Sequence, residues 1–131
     1  VSEAPRFLSV EDVLVIHANT IEVEGGSPGL RDAGLLESAV LMPQQRFGGE
    51  YLHRDIAAMA ASYLFHICQN HAFYDGNKRT AVLAALVFLE INGVETLPEP
   101  DRLEEVTLAV AAGEMSKDEL TRWMSAQFAD G

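Results

Sequence analysis

The twelve residues from Thr80 to Ile91, TAVLAALVFLEI, contain a single charged side chain, and no other stretch constrains the fold as strongly. The run lacks the alternation of a strand, and a helix that is apolar nearly all round must be buried. It is too short to span a bilayer, which takes about 20 apolar residues. Asn92 and Gly93 follow it as a C-terminal stop. The remaining chain therefore has to wrap a central, fully buried helix with amphipathic elements.

Those elements can be read from their periods. Between Ser9 and Ile21, the positions Val10, Val13, Leu14, His17 and Ile21 recur at helical spacing, with Ser9 and Asp12 as a capping pair. The loop EGGSPG ends this helix, and a second, from Asp32 to Leu41, stops before Pro43. A third runs from Ile56 to Ile67, and two more cover Asp101 to Ala112 and Ser116 to Phe128, the last with a Ser116/Glu119 capping box. Between the second and third, QQRFGGEYLHRD has no helical period and predicts an exposed flap or hairpin. The expectation is one all-α domain over residues 1–131, a compact bundle of about six helices.

Charge and cysteine content narrow the function. Twenty acidic against nine basic residues give a net charge of −11, which repels a polyanion and argues against nucleic acid as the main partner. The acidity suits a basic protein partner, and equally the solubility of an exposed helical surface. The lone Cys68 excludes an internal disulfide and reads as a small buried hydrophobe. With no membrane-length run and no basic, apolar leader in VSEAPRFLSV, the expected location is the cytoplasm.

Just before the apolar run stands HAFYDGNKR, residues 71–79. If Asn77 caps the central helix, the preceding loop lies at a helix N-terminus, where free N–H groups and the dipole attract an anion. Gly76 allows close backbone approach, while Lys78 and Arg79 place cations where the dipole disfavours them. That pattern points to a polyanionic ligand rather than to helix stability. Asp75 offers an oxygen ligand for Mg²⁺ on a nucleotide phosphate, and His71 is the residue suited to take a proton from an attacking hydroxyl. Phe73 reads as a core anchor for the loop. His17, His53 and His66 lack such company and read as structural or surface residues. His66, Cys68 and His71 do not converge on a zinc site, and GNKRT lacks the earlier glycine and the strand of a P-loop.

The stretch from His71 through Phe73, Asp75, Gly76, Asn77 and Lys78 to Arg79 resembles the signature of the Fic/Doc family, in its death-on-curing (Doc) toxin branch. The similarity extends through GLRDAGLLESAVLMPQ and TAVLAALVFLEINGV. The resemblance implies a helical bundle built around the motif loop and the helix after it. Family members with the motif His-x-Phe-x-acid-Gly-Asn-Gly-Arg-x-x-Arg transfer AMP from ATP to a protein hydroxyl. Here Lys78 stands at the second glycine and Val82 at the final arginine. Both departures match the Doc branch, which is similar to a kinase that phosphorylates elongation factor Tu and stops translation.

By that resemblance His71 is the base and Asp75 the Mg²⁺ or substrate-orienting carboxylate. Gly76 and Asn77 form the anion hole, and Lys78 and Arg79 clamp phosphate. The resemblance further implies a cognate antitoxin whose C-terminal helix fills a groove near the active site. In the hairpin, Phe47 and Tyr51 flank the Gly48-Gly49 turn, and this flap is a candidate for holding an extended piece of target. Residue chemistry alone leaves phosphate transfer, AMP transfer and a catalytically silent binding module open, because positioning and charge serve either transfer. Thr20 to Gly25, TIEVEG, also matches a short pattern with which some Fic enzymes block their own ATP site. Its place at the end of the first helix makes coincidence the expected reading.

Overall fold

The computed structural model describes residues 4–128. Among them the chain forms α1 (Val10–Glu24), α2 (Ala33–Leu41), a hairpin of β1 (Arg46–Phe47) and β2 (Glu50–Tyr51), then α3 (Ile56–Asn70), α4 (Asn77–Ile91), α5 (Pro100–Ala111) and α6 (Lys117–Ala126). Six helices and one two-stranded ribbon give the expected all-α bundle. None of the helices is long and apolar enough to cross a membrane.

Local chemistry explains the boundaries. Ser9 and Asp12 form a reciprocal capping box on α1, and Ser116 and Glu119 form one on α6. Asp32 and Asp55 accept from Leu35 N–H and Ala58 N–H to start α2 and α3. Helix α1 runs three residues beyond Ile21, to Glu24, before Gly25 turns away at φ 82°. Helix α3 likewise continues past Ile67 to Asn70. Pro100 opens α5 at a position where its missing N–H costs nothing.

Helix α4 packs most extensively on α3, with α1 and α5 also against it. Its alanines Ala81, Ala84 and Ala85 are fully covered, as are Phe88 and Leu89. Leu83, Leu86 and Val87 stay half-buried, so α4 keeps one incompletely covered stripe where full burial was expected. Tyr63 lies within the core, 5.0 Å from the Phe88 ring, and its hydroxyl accepts from Leu8 N–H at 2.9 Å. Burial pushes that hydroxyl's pKa up to about 12, so it stays neutral. Cys68 is buried, and burial raises its thiol pKa, as suits an inert hydrophobe.

At the junction of the hairpin, α3 and α6, Lys117 Nζ donates to His53 Nε2 at 2.8 Å. His66 Nε2 is buried nearby without a partner. Burial first, then the Lys117 and His53 charges, lower the His66 pKa from 6.5 to about 4, and burial with Lys117 lowers that of His53. The unfolded chain thus takes up protons below its pKa of about 6.5, which folded His66 does not accept until about 4. Stability should accordingly fall as pH drops across that window. His66 should account for roughly 1–2 kcal/mol of the loss, less than the full shift because the ring is half-exposed. Thermal melts of wild type and His66→Gln between these pH values check this: the variant should show the shallower slope.

Candidate active site

The motif loop begins where α3 ends. His71 takes the left-handed conformation, φ 49° and ψ 48°, and is the one non-glycine residue with positive φ among the described residues. A segment N-terminal to α2 runs alongside and holds the loop. Arg31 Nε donates to the His71 carbonyl at 2.8 Å, and the Arg31 and Asp32 backbone N–H groups donate to the Ala72 carbonyl at 2.7 and 3.0 Å. Leu30 and Phe73 pair as an antiparallel bridge. These bonds satisfy carbonyls that the end of α3 would otherwise leave open.

Phe73, 2% exposed, is the anchor its position suggests. Its ring stacks on His17 of α1 with centroids 3.7 Å apart and planes 8° apart. The same imidazole reaches the Asp75 backbone carbonyl through Nε2 at 2.8 Å; since a carbonyl only accepts, the ring carries its proton on Nε2. The Asp75 side chain is exposed, with Oδ2 accepting from Ser27 N–H at 2.8 Å. EGGSPG is therefore more than a break in the helical pattern. Gly26, at φ 113°, lies so close that a Cβ there would sit 3.2 Å from Asp75 Cβ.

Gly76, at φ 80°, is the N-cap of α4, and Asn77 is the helix's first residue. This corrects the expectation that Asn77 caps the helix. Its buried amide instead closes the loop: Oδ1 accepts from Phe73 N–H at 3.1 Å and Nδ2 donates to the Phe73 carbonyl at 2.9 Å. No side chain caps α4, so the N–H groups of its first turn stay available to an anion. Lys78 is exposed beside them. Arg79 is half-buried and ion-paired on both sides, with Nε 3.0 Å from Glu24 of α1 and Nη1 on Glu104 of α5. Glu24 belongs to the TIEVEG match first set aside as coincidence, and it reaches the motif's own arginine.

Lys78, Arg79, Val82, Glu24, Glu104 and Leu108 line a cleft of about 300 Å³ between α1, α4 and α5, a volume at the small end of ligand sites. The hairpin residues sit elsewhere. Phe47 is 80% exposed, and the Gly48-Gly49 turn has φ 61° and 84°. Tyr51 is half-buried: its ring meets Phe7 edge-on at 5.6 Å, and the Arg46 guanidinium lies 4.2 Å from its centroid. Phe47, Tyr51, Arg46, Leu52 and Arg54 line a separate cleft of about 650 Å³ that includes none of residues 71–79. Of the two aromatics proposed for the flap, Phe47 is the free one.

Sequence reasoning assigns no role to His17, Arg31 or Glu104, and reads Glu24 only within the TIEVEG match, as coincidence. For His17 the available signal was a histidine on the buried face of α1, a position where an apolar residue would have sufficed.

The profile of the Fic/DOC family matches residues 7–89. Among curated proteins the chain is 37% identical over 111 residues to "Protein kinase doc" of Escherichia phage P1, covering 85% of this chain and 86% of that one. It is 40% identical over 117 residues to "Toxin Doc" of Mycolicibacterium smegmatis, covering 88% of each. With its motif loop at the head of α4 and a family match across α1 to α4, the chain belongs to the Fic/DOC family.

Proposed function

We propose that this protein is the toxin of a toxin–antitoxin pair and transfers phosphate from ATP to a protein hydroxyl, with translation elongation factor Tu as the target. The observation that carries the reading is the uncapped start of α4, with Lys78 and Arg79 beside a loop that exposes His71 and Asp75. In this scheme the α4 N–H groups, including those that follow Gly76 and Asn77, and Lys78 hold the nucleotide's phosphates, and Arg79 joins them by exchanging its Glu24 and Glu104 partners for phosphate. His71 takes the proton of the target hydroxyl as its oxygen attacks the γ-phosphorus, and ADP leaves with the electrons of the broken P–O bond.

Asp75 fits a Mg²⁺ site of the kind in which phosphates and water supply most ligands, because its carboxylate is exposed and one oxygen remains free of Ser27. Among the described residues no cluster of three or more His, Cys, Asp or Glu side chains could hold a metal by itself. The ion, when bound with the nucleotide, would neutralise charge on the phosphates. Support for phosphate rather than AMP transfer comes from Lys78 and Val82, which replace the second glycine and last arginine of the AMP-transferring motif, and from the similarity to the phage P1 kinase. Exposed Leu108 beside Glu24 and Glu104 suits a basic amphipathic helix, the form proposed for the antitoxin segment. The exposed Phe47 is the contact proposed for an extended piece of target.

Incubation of the protein with ATP, Mg²⁺ and purified elongation factor Tu, read by mass spectrometry and nucleotide analysis, tests the proposal. An added phosphate with release of ADP is the expected result. An added AMP with release of pyrophosphate, or an unmodified target, would overturn it.

A further inference from the structure

The backbone carbonyls of the two residues assigned to the chemistry are each gripped by a side chain from outside the motif. The His71 carbonyl receives Arg31 Nε at 2.8 Å, and the Asp75 carbonyl receives His17 Nε2 at 2.8 Å. These donors come from two different places in the chain, α1 and the approach to α2, separated from their acceptors by 58 and 40 residues. From this arrangement we infer that His17 and Arg31 are positioning residues, a two-point clamp that sets the separation and direction of His71 and Asp75. The inference rests on the proposed phosphoryl transfer for the roles of those two residues.

Each grip acts on a backbone that would otherwise relax. His71 is left-handed without being glycine, a conformation that persists only where its surroundings enforce it. Arg31 enforces it by fixing the carbonyl, while Nη2 reaches the Asn70 carbonyl at 3.4 Å. The guanidinium thereby places a cation at the negative end of α3. At the other end of the loop, His17 is 5% exposed and covers the face of Phe73. Gly76 packs so closely that a Cβ there would lie 3.5 Å from His17 Cδ2 and 3.3 Å from Ile21 Cδ1. The bond from His17 ties the Asp75 carbonyl to α1 and keeps it from shifting away. Ser27 N–H then orients its carboxylate. Bound geometry matters this much because misplacement of reacting groups by about 1 Å costs on the order of 10²-fold in rate.

Paired variants separate the grip from mere packing. His17→Met and Arg31→Met keep a long apolar stem and lose the donor, whereas His17→Gln and Arg31→Lys keep one. In steady-state transfer assays, each Met variant should lower kcat by roughly 10- to 100-fold while KM for ATP changes by less than about threefold. Gln and Lys should each restore at least part of the loss. Amide hydrogen exchange on the same full-length proteins should quicken at residues 71–76 in the Met variants and stay slow in α3 and α6. Unchanged kcat, or equal loss in the donor-keeping and donor-lacking variants, would overturn the clamp. If the wild-type protein transfers nothing, the proposed reaction fails, and the exchange measurement still decides: unaltered exchange at residues 71–76 in both Met variants rejects the clamp by itself.

Discussion

His71→Ala is expected to abolish most transfer, lowering it by at least about 10²-fold, the lower end of what a positioned general base contributes. The protein should remain folded, because the His71 side chain is exposed and the grip on this residue is on its carbonyl. Nucleotide binding should persist as well, since the proposed phosphate contacts lie at Lys78, Arg79 and the start of α4. Single-turnover transfer, calorimetric ATP binding and a thermal melt on one preparation separate these quantities. Near-normal transfer by the folded variant would remove His71 from the role of base and leave the mechanism without one.

The largest expected effect on stability comes two residues later. Phe73→Ala removes a ring that is 2% exposed and stacked on His17. Truncating a buried phenylalanine costs about 3–5 kcal/mol, lost contacts and cavity together. For a chain of this length that lowers Tm by roughly 10–20 °C. Activity should fall at temperatures where the variant is still folded, because the ring supports the loop between His71 and Asp75. An unfolding free energy from denaturant titration within about 1 kcal/mol of wild type would show that the loop needs no aromatic anchor.

Much of the fold was legible because it rests on local rules. Ser9 with Asp12, and Ser116 with Glu119, announced two helix starts that the structure reproduces as full capping boxes. The apolar period marked α1 and α3, although not their last turns, which carry no apolar pattern to read. The Gly48-Gly49 pair signalled a reversal, and both residues have the positive φ that such a turn needs. The site was legible as a list of chemical groups but not as a geometry. Asn77 reads as a cap because asparagine usually caps; in the loop its amide finds both Phe73 backbone groups and leaves capping to Gly76. Arg79 reads as a free cation because its partners, Glu24 and Glu104, arrive from α1 and α5. His17 reads as a core residue, and its bond to Asp75 spans 58 positions that no local pattern connects.

The left-handed backbone at position 71 bears on how a gene of this kind would be lost. Codons for histidine and asparagine differ at one base, and asparagine is among the few residues that occupy this conformation readily. For a cell burdened by the proposed activity this is a short mutational exit: His71→Asn removes the imidazole, relieves part of the backbone strain, and leaves a folded protein that still presents the cleft between α1, α4 and α5. Such a copy would keep whatever contacts that cleft makes while losing the chemistry proposed for His71.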